Sequence, residues 1–395
     1  MNLASSNEPN WGGGLAMTEK ILPVKINGRK YFRKNSPIAY VPQLNATLFS
    51  KYQDIFICEK NVEIFSSVQP DGLMTKQMGQ NMMRKDGDAH IKERKAIFPI
   101  VSPKTVKNFW KNHFVEKTNK IIKNIGKKSE LEIVSEFSTQ VSAEALKLIT
   151  GLSGMTWMEM DRVSQGMIDG CSNYIGDPAV AKNCDDCTRS IDLHIDAQLK
   201  HPNLHDSPSL LSSQLDAGLS METIKANIKL AISGGQNEPR DAIAGTIGTL
   251  LKNDSQLKMI KSGSKSWLQA FEEYARWMSP IGMSPRRIAK DFNYKEVHFY
   301  KNDMIFFMFG SANRDQEIFQ NPDHFDISRD NRSSISFGAG PHFCAGAWIS
   351  KTLIAEVALP LFFSNFSNVQ LKKTLEFEGW AFRGPKKVIL ENWDK

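Results

Sequence analysis

The chain has 395 residues, 41% of them hydrophobic and 24% charged, with a formal net charge of +7. That balance belongs to a folded globular protein and excludes disordered, collagen-like and disulfide-scaffold classes. The lysines are spread along the chain rather than gathered into one basic block, so the charge predicts an acidic protein partner instead of nucleic acid.

The N-terminal stretch MNLASSNEPNWGGGLAMTEK lacks a basic segment followed by an apolar one. No later stretch offers about 18 uninterrupted apolar residues, which predicts a cytoplasmic protein without membrane association. Residues 1–24 read as a flexible segment ahead of one domain over 25–395. Asn27-Gly28, between polar and aromatic runs, predicts a hairpin. Residues 65–87 lack steady periodicity and predict a long loop with at most a short helix, the kind of segment that carries function.

Helical spacing returns over 88–125, and 129–150 reads as an amphipathic helix ending near Gly151. Residues 200–219 are loop-rich. The segment 221–254 reads as one long helix interrupted by Gly234, Gly235 and Pro239. A proline inside a helix costs roughly 3 kcal/mol, so such a distortion marks a site. A helix-turn-helix at the same point is the alternative. A further helix follows 265, then turn-punctuated strands.

Five cysteines, Cys58, Cys171, Cys184, Cys187 and Cys344, are too scattered for a disulfide framework and predict reduced thiols. Cys184 and Cys187 have the spacing of a redox or half-zinc site, but no second pair accompanies them. They read as two surface cysteines without function. Cys344 differs, because it lies in SFGAGPHFCAG, followed by the helix-compatible run AWISKTLIAEVALPLFF. Glycines let backbone N–H groups approach the sulfur, and a following helix presents its positive end. Both effects favour the thiolate.

In Phe337, Gly340, Cys344 and Gly346 this segment closely resembles the haem-binding signature of the cytochrome P450 family. The resemblance spans roughly residues 25 to 390. It implies a mainly α fold with a small β-rich lobe, haem b as cofactor, and Cys344 as the axial iron ligand, with Phe337, Gly338 and Gly346 around the haem. Glu273 and Arg276 in FEEYARWMSP resemble the family's ExxR pair, and Arg329 matches the residue that completes this structural network. His90 with Arg94, one helical turn apart, and Arg287 match residues that bind haem propionates. Ser334 stands where many relatives have a propionate-binding histidine.

The family's distal helix usually carries Ala/Gly-Gly-x-Asp/Glu-Thr. Here Gly234-Gly235-Gln236-Asn237-Glu238 puts Asn237 at the acid position and Glu238 at the threonine position. Gln236, Asn237 and Glu238 are therefore the candidate catalytic group, with Glu238 as proton relay. Similar Asn-Glu-Pro replacements occur in bacterial P450s that include O-demethylases. By family position, Met74, Met78, Ile281, Met283, Trp380 and Phe382 line the substrate cavity, as do the region around 165–180 and Met82 and Met83.

The expected function is a monooxygenase that takes O2 and electrons from a separate ferredoxin and ferredoxin reductase. It would hydroxylate or O-demethylate a methoxy arene or methylated sugar, as a monomer. Pro239-Arg240 raises the alternative of a peroxide-using peroxygenase in which a cation holds a fatty carboxylate. A non-catalytic haem-thiolate ligand-binding protein is the other alternative.

Overall fold

The computed structural model describes residues 26–126 and 128–392, so the expected flexible segment 1–24 lies outside the described residues. The expected hairpin at Asn27-Gly28 is instead helix α1, Ile26–Asn35. Its local turn signal is overridden by tertiary anchoring. Arg33 is buried, and its Nη1 donates to the Ser311 carbonyl at 3.1 Å and to Ser311 Oγ at 3.0 Å.

A small β lobe follows. Strands β1 (Ile38–Val41) and β2 (Ala46–Phe49) turn at Asn45, whose φ of 45° lies in the left-handed region that asparagine tolerates. After helix α2 (Tyr52–Cys58) comes β3 (Phe65–Ser66). The sheet is completed far along the chain by β5 (Ser284–Ile288) and β6 (Met304–Phe307), in the order β1-β2-β6-β5-β3. Only the β2–β6 pair is parallel. Phe49, Phe65 and Phe307 form its core, with Phe49 edge-on to both others at 5.9 and 5.6 Å. This lobe sets the position of one wall of the site.

The 65–87 segment contains only α3 (Leu73–Met78) and one helical turn, Met82–Arg84. Helices α4 (Gly87–Val101) and α5 (Lys111–Ile125) bear out the helical reading of 88–125. The next expected helix begins later than its periodicity suggests, because Glu130–Glu132 form β4, paired with a C-terminal strand at Ile389–Asn392. Glu132 accepts the N–H groups of Val134 at 3.2 Å and Ser135 at 2.7 Å, capping the helix after the strand. That helix runs through a wide turn into α6 (Thr139–Thr150).

Helices α7 (Trp157–Cys171) and α8 (Pro178–Leu199) pack closely. A Cβ on Gly166 would lie 2.4 Å from Cys187 Sγ, and one on Gly170 would lie 2.5 Å from Cys184 Sγ. The two cysteines are thus fully buried knobs in glycine notches, not surface residues. Within the loop-rich 200–219 segment, Ser209 and Ser212 form a capping box that starts α9 (Leu210–Asp216). No two of the five cysteines are bridged.

The expected long helix over 221–254 is two: α10 (Met221–Ser233) and α11 (Asn237–Lys252). Pro239 lies in the first turn of α11, where a missing N–H breaks no helical bond, so the break at 234–236 absorbs the cost assigned to it. Gly235 is demanded by crowding, since a Cβ there would be 2.4 Å from the Ala231 carbonyl and 3.0 Å from Leu146 Cδ1. Helices α12 (Asp254–Lys261) and α13 (Trp267–Met278) follow. Helix α14, Ala347–Asn365, is long and apolar enough to cross a membrane by length and composition. In the fold, Leu353, Ile354, Val357, Leu359 and Phe362 bury it in the main helical core.

Candidate active site

The cysteine loop is pinned at both ends. Cys344 N–H donates to the Phe337 carbonyl at 2.9 Å, and Ser336 Oγ donates to the Ala275 carbonyl of α13 at 2.8 Å. Ala339 N–H donates to Glu59 Oε2 at 2.8 Å. Gly340 has φ of +72°, and a Cβ there would sit 3.0 Å from Lys60 Cα, so conformation and space both require glycine. Phe337 packs edge-on to Phe271 at 6.2 Å; Gly338 holds φ of +77°, and a Cβ added to it or to Gly346 would make only ordinary contacts.

The sequence predicts a thiol shifted toward thiolate. In the folded chain burial pushes the Cys344 thiol up, and the Glu238 carboxyl adds to that, while the N–H groups of Gly346 and Ala347 and the Arg94 guanidinium pull it down. Burial outweighs the glycine and helix-end effects; a bound cation removes the proton regardless.

Glu273 and Arg276 form a fully buried bidentate pair, both bonds 2.8 Å. Arg276 also donates to the carbonyls of Asn313 at 2.7 Å and Pro322 at 2.9 Å. Arg329 Nε reaches Glu273 Oε1 at 3.3 Å. The three residues therefore meet as expected and hold the 313–329 segment beneath the cysteine loop. Ser334 belongs to this network, with its Oγ 2.8 Å from Ser336 Oγ.

His90 and Arg94 share one face of α4. His90 is buried and stacks on His342 at 4.2 Å; burial, followed by His342 and Arg94, pushes its pKa down to about 4. His342 Nε2 lies 2.8 Å from Asp86 Oδ1. The histidine beside this pair is therefore His342, two residues before the cysteine, and not a residue at position 334. Sequence reasoning missed His342 although it stands inside the quoted motif. Arg287, on β5, faces away from its neighbour Arg286 and makes only a loose 3.8 Å contact with Asp71. Arg286 is buried against Glu59 at 2.8 Å. Arg84, unremarked in the sequence, is 4% exposed with no partner for Nε or Nη1.

The three residues at the α10–α11 break diverge. Gln236 Nε2 donates to the Thr139 carbonyl and to Asp161 Oδ1, both at 3.2 Å. Asn237 accepts from Ser164 at 3.1 Å and donates to Gln165 at 2.8 Å. Both are thus turned toward α6 and α7. Glu238 alone keeps both carboxylate oxygens buried without a partner. Burial pushes its pKa up to about 7, its own N–H and Arg240 opposing and Asp241 reinforcing the shift. Arg240 is committed to Asp241 at 2.8 Å and Asp161 at 3.2 Å.

Of the expected substrate contacts, Met78 is 2% exposed and belongs to the main core, with Met74 packed against it. Met82 is core as well. Ile281 bridges to Phe382, and Met283 and Trp380 join the β-lobe core, Trp380 edge-on to Phe306 at 6.3 Å. These side chains form walls more than exposed contacts.

The donor set fits an iron porphyrin. A single cysteine sulfur is framed by backbone N–H groups, Arg94 lies within electrostatic reach of it, and Arg287 makes only a loose ion pair at 3.8 Å. Thiolate ligation and arginine forks for two carboxylates are what such a group requires.

Residues 268–388 match the family model "Cytochrome P450". The chain is 24% identical over 337 residues to the steroid C26-monooxygenase of Mycolicibacterium smegmatis (strain ATCC 700084 / mc(2)155), covering 82% of this chain and 80% of that one. It is 22% identical over 347 residues to the biotin biosynthesis cytochrome P450 of Bacillus subtilis (strain 168), covering 85% and 79%. The structure of P450BioI in complex with hexadec-9Z-enoic acid ligated acyl carrier protein superposes with a TM-score of 0.85 at 19% identity, covering 94% of this chain and all of that one.

Proposed function

Because the chain is a haem b-binding monooxygenase of the cytochrome P450 family, of the kind found in bacteria, we propose that it oxidises a small oxygenated substrate, by hydroxylation or O-demethylation, with Glu238 as its acid. Haem, when bound, supplies activation of dioxygen and transfer of one oxygen atom to a C–H bond. Cys344 would hold the iron, and His90, Arg94 and Arg287 the propionates, with Phe337, Gly338 and Gly346 shaping the loop against the ring.

The observation that carries this reading is Glu238. Its two oxygens have no partner, and its carboxyl acts electrostatically on Cys344 across the interior. A carboxyl with a pKa near 7 can both hold and release a proton at the pH of the cell. Gln236 and Asn237, anchored to α6 and α7, fix the backbone from which Glu238 projects; they position rather than react. An O-methyl carbon hydroxylated in this cavity collapses to alcohol and formaldehyde. The aromatic walls Trp380 and Phe382 suit a methoxy arene or a methylated sugar.

Electrons would come from a ferredoxin and its reductase. Exposed Phe98 on α4 and exposed Phe343 and Trp348 beside the cysteine loop lie on elements joined by the His90–His342 stack, with Lys92 and Lys95 exposed alongside. An acidic partner complements that surface. A monomeric cytoplasmic enzyme is the simplest arrangement. The peroxygenase reading loses its support, because Arg240 is already neutralised by Asp161 and Asp241.

The test is a spin-state titration of the ferric protein with methoxy arenes, methylated sugars and terpenoids, followed by turnover with a surrogate ferredoxin and reductase. Formaldehyde released in proportion to NADH consumed supports O-demethylation. Ligands that shift the spin state yet give no product with any donor sink it.

A further inference from the structure

Arg84 ends the turn Met82–Arg84 and is held without freedom to swing away. Asn81 caps the turn by accepting Met83 N–H at 3.1 Å, Met82 N–H donates to Asn227 of α10 at 2.7 Å, and Gln80 Nε2 reaches the Arg84 carbonyl at 3.4 Å. The side chain is 4% exposed, yet Nε and Nη1 meet no acceptor.

The nearby anions do not serve it. Asp86 is occupied by Ser66 Oγ at 2.6 Å, Ser67 N–H at 2.9 Å and His342 Nε2 at 2.8 Å. Glu59 is taken by Arg286 and Ala339. The groups that act on Arg84 are Arg286, Cys171, Tyr174 and Asp86, so it sits between β5 with the start of α4 on one side and the end of α7 with its connection to α8 on the other. Burying guanidinium N–H groups with no acceptor is costly, and a bound oxyanion relieves that cost.

We propose that Arg84 is the anchor for an anionic oxygen group, a carboxylate or sulfate, carried by the substrate. Its planar fork binds such a group through two parallel hydrogen bonds. A haem propionate offers the same chemistry, but the neighbours Cys171 and Tyr174 belong to the end of α7 and its link to α8, away from the cysteine loop in sequence and element. His90, Arg94 and Arg287 are in addition available to the propionates. The inference deepens the small-substrate reading by giving the substrate a negative charge, and it rests on that reading for the choice of probes.

The test titrates ferric holoprotein with para-methoxybenzoate and para-methoxybenzamide, and with a methyl-ether uronic acid and its neutral hexoside, following the spin-state shift. The wild type is expected to prefer the acid in at least one pair by about tenfold. Arg84→Gln is expected to abolish that preference without changing haem transfer to apomyoglobin, and Arg84→Lys to retain part of it. Faster haem transfer with the preference intact makes the oxyanion a propionate and overturns the substrate assignment. A wild type that prefers the acid in neither pair overturns the proposal even if Arg84→Gln does not fold. Since binding is read and not product, a preserved acid preference without formaldehyde sinks O-demethylation alone.

Discussion

Glu59 ties the cysteine loop to the β lobe through one carboxylate, Oε2 accepting Ala339 N–H and Oε1 accepting Arg286 Nη2, each at 2.8 Å. The two side chains are 2% and 3% exposed. Burial raises the pKa of Glu59 and lowers that of Arg286, and each partner's charge opposes the other's shift. A loop that must hold a metal ligand in one place is thereby fixed from a strand earlier in the chain, at Arg286, and from a helix end near the N-terminus, at Glu59.

Removing one partner of this pair leaves a buried charge. Glu59→Gln should cost about 3–5 kcal/mol in urea unfolding and speed haem transfer to apomyoglobin. The double variant Glu59→Gln with Arg286→Met should recover most of the loss. Wild-type stability in the single variant would show that the pair does not support the loop.

Glu238 makes stability depend on pH with a definite sign. Its pKa is about 7 folded against 4.5 unfolded, so the folded chain binds the proton more tightly. The contribution, roughly 3 kcal/mol, is present below pH 4.5 and is lost as pH rises through 7. In haem-free protein, Glu238→Gln should flatten the urea midpoint across that window. Profiles of the two proteins that run parallel would refute the shift.

The glycine notches of α7 should not tolerate a methyl group. Gly166→Ala puts Cβ against Cys187 Sγ, an overpacking expected to cost about 1–3 kcal/mol. Adding Cys187→Ala should restore part of it, a coupling that thermal melts of the four proteins would measure. Additive effects would mean the contact is slack. In the wild type, Cys184 and Cys187 should resist thiol reagents at neutral pH, because burial pushes Cys184 up to about 12 and raises Cys187 as well.

Cys344→Ser should abolish the red-shifted Soret band that marks thiolate ligation in the reduced carbon monoxide complex. Circular dichroism should stay unchanged, since Cys344 packs in a loop held by its backbone and by Glu59. A persisting thiolate band would remove Cys344 as the ligand.

What could be read from the sequence was local. Cys344 stands among fixed glycines, and Glu273 and Arg276 are one helical turn apart, so neighbours in sequence carried the information. Glu59, Arg84 and Arg286 carry no such pattern, because their meaning arises where α2, the turn after α3, and β5 meet. Cys184 and Cys187 were misread for the same reason: their notches lie on another helix, at Gly166 and Gly170. The α1 turn signal and the start of the helix after β4 failed where anchoring by Arg33 and capping by Glu132 decided the outcome. Gln236, Asn237 and Glu238 were singled out together, but consecutive residues leave a helix end in different directions: Gln236 and Asn237 bond to α6 and α7 through their amides, while both carboxylate oxygens of Glu238 stay unpartnered.

The interlocked glycines and cysteines have a mechanical consequence. Two helices whose surfaces interdigitate at sulfur depth cannot splay without losing dispersion contacts all along the seam. Any displacement of α7 and α8 is therefore expected to be a tilt of the pair as one plate. The connecting segments on either side of the pair, with Gly151 at φ of +86° in one and the 200–209 stretch in the other, would serve as its pivots.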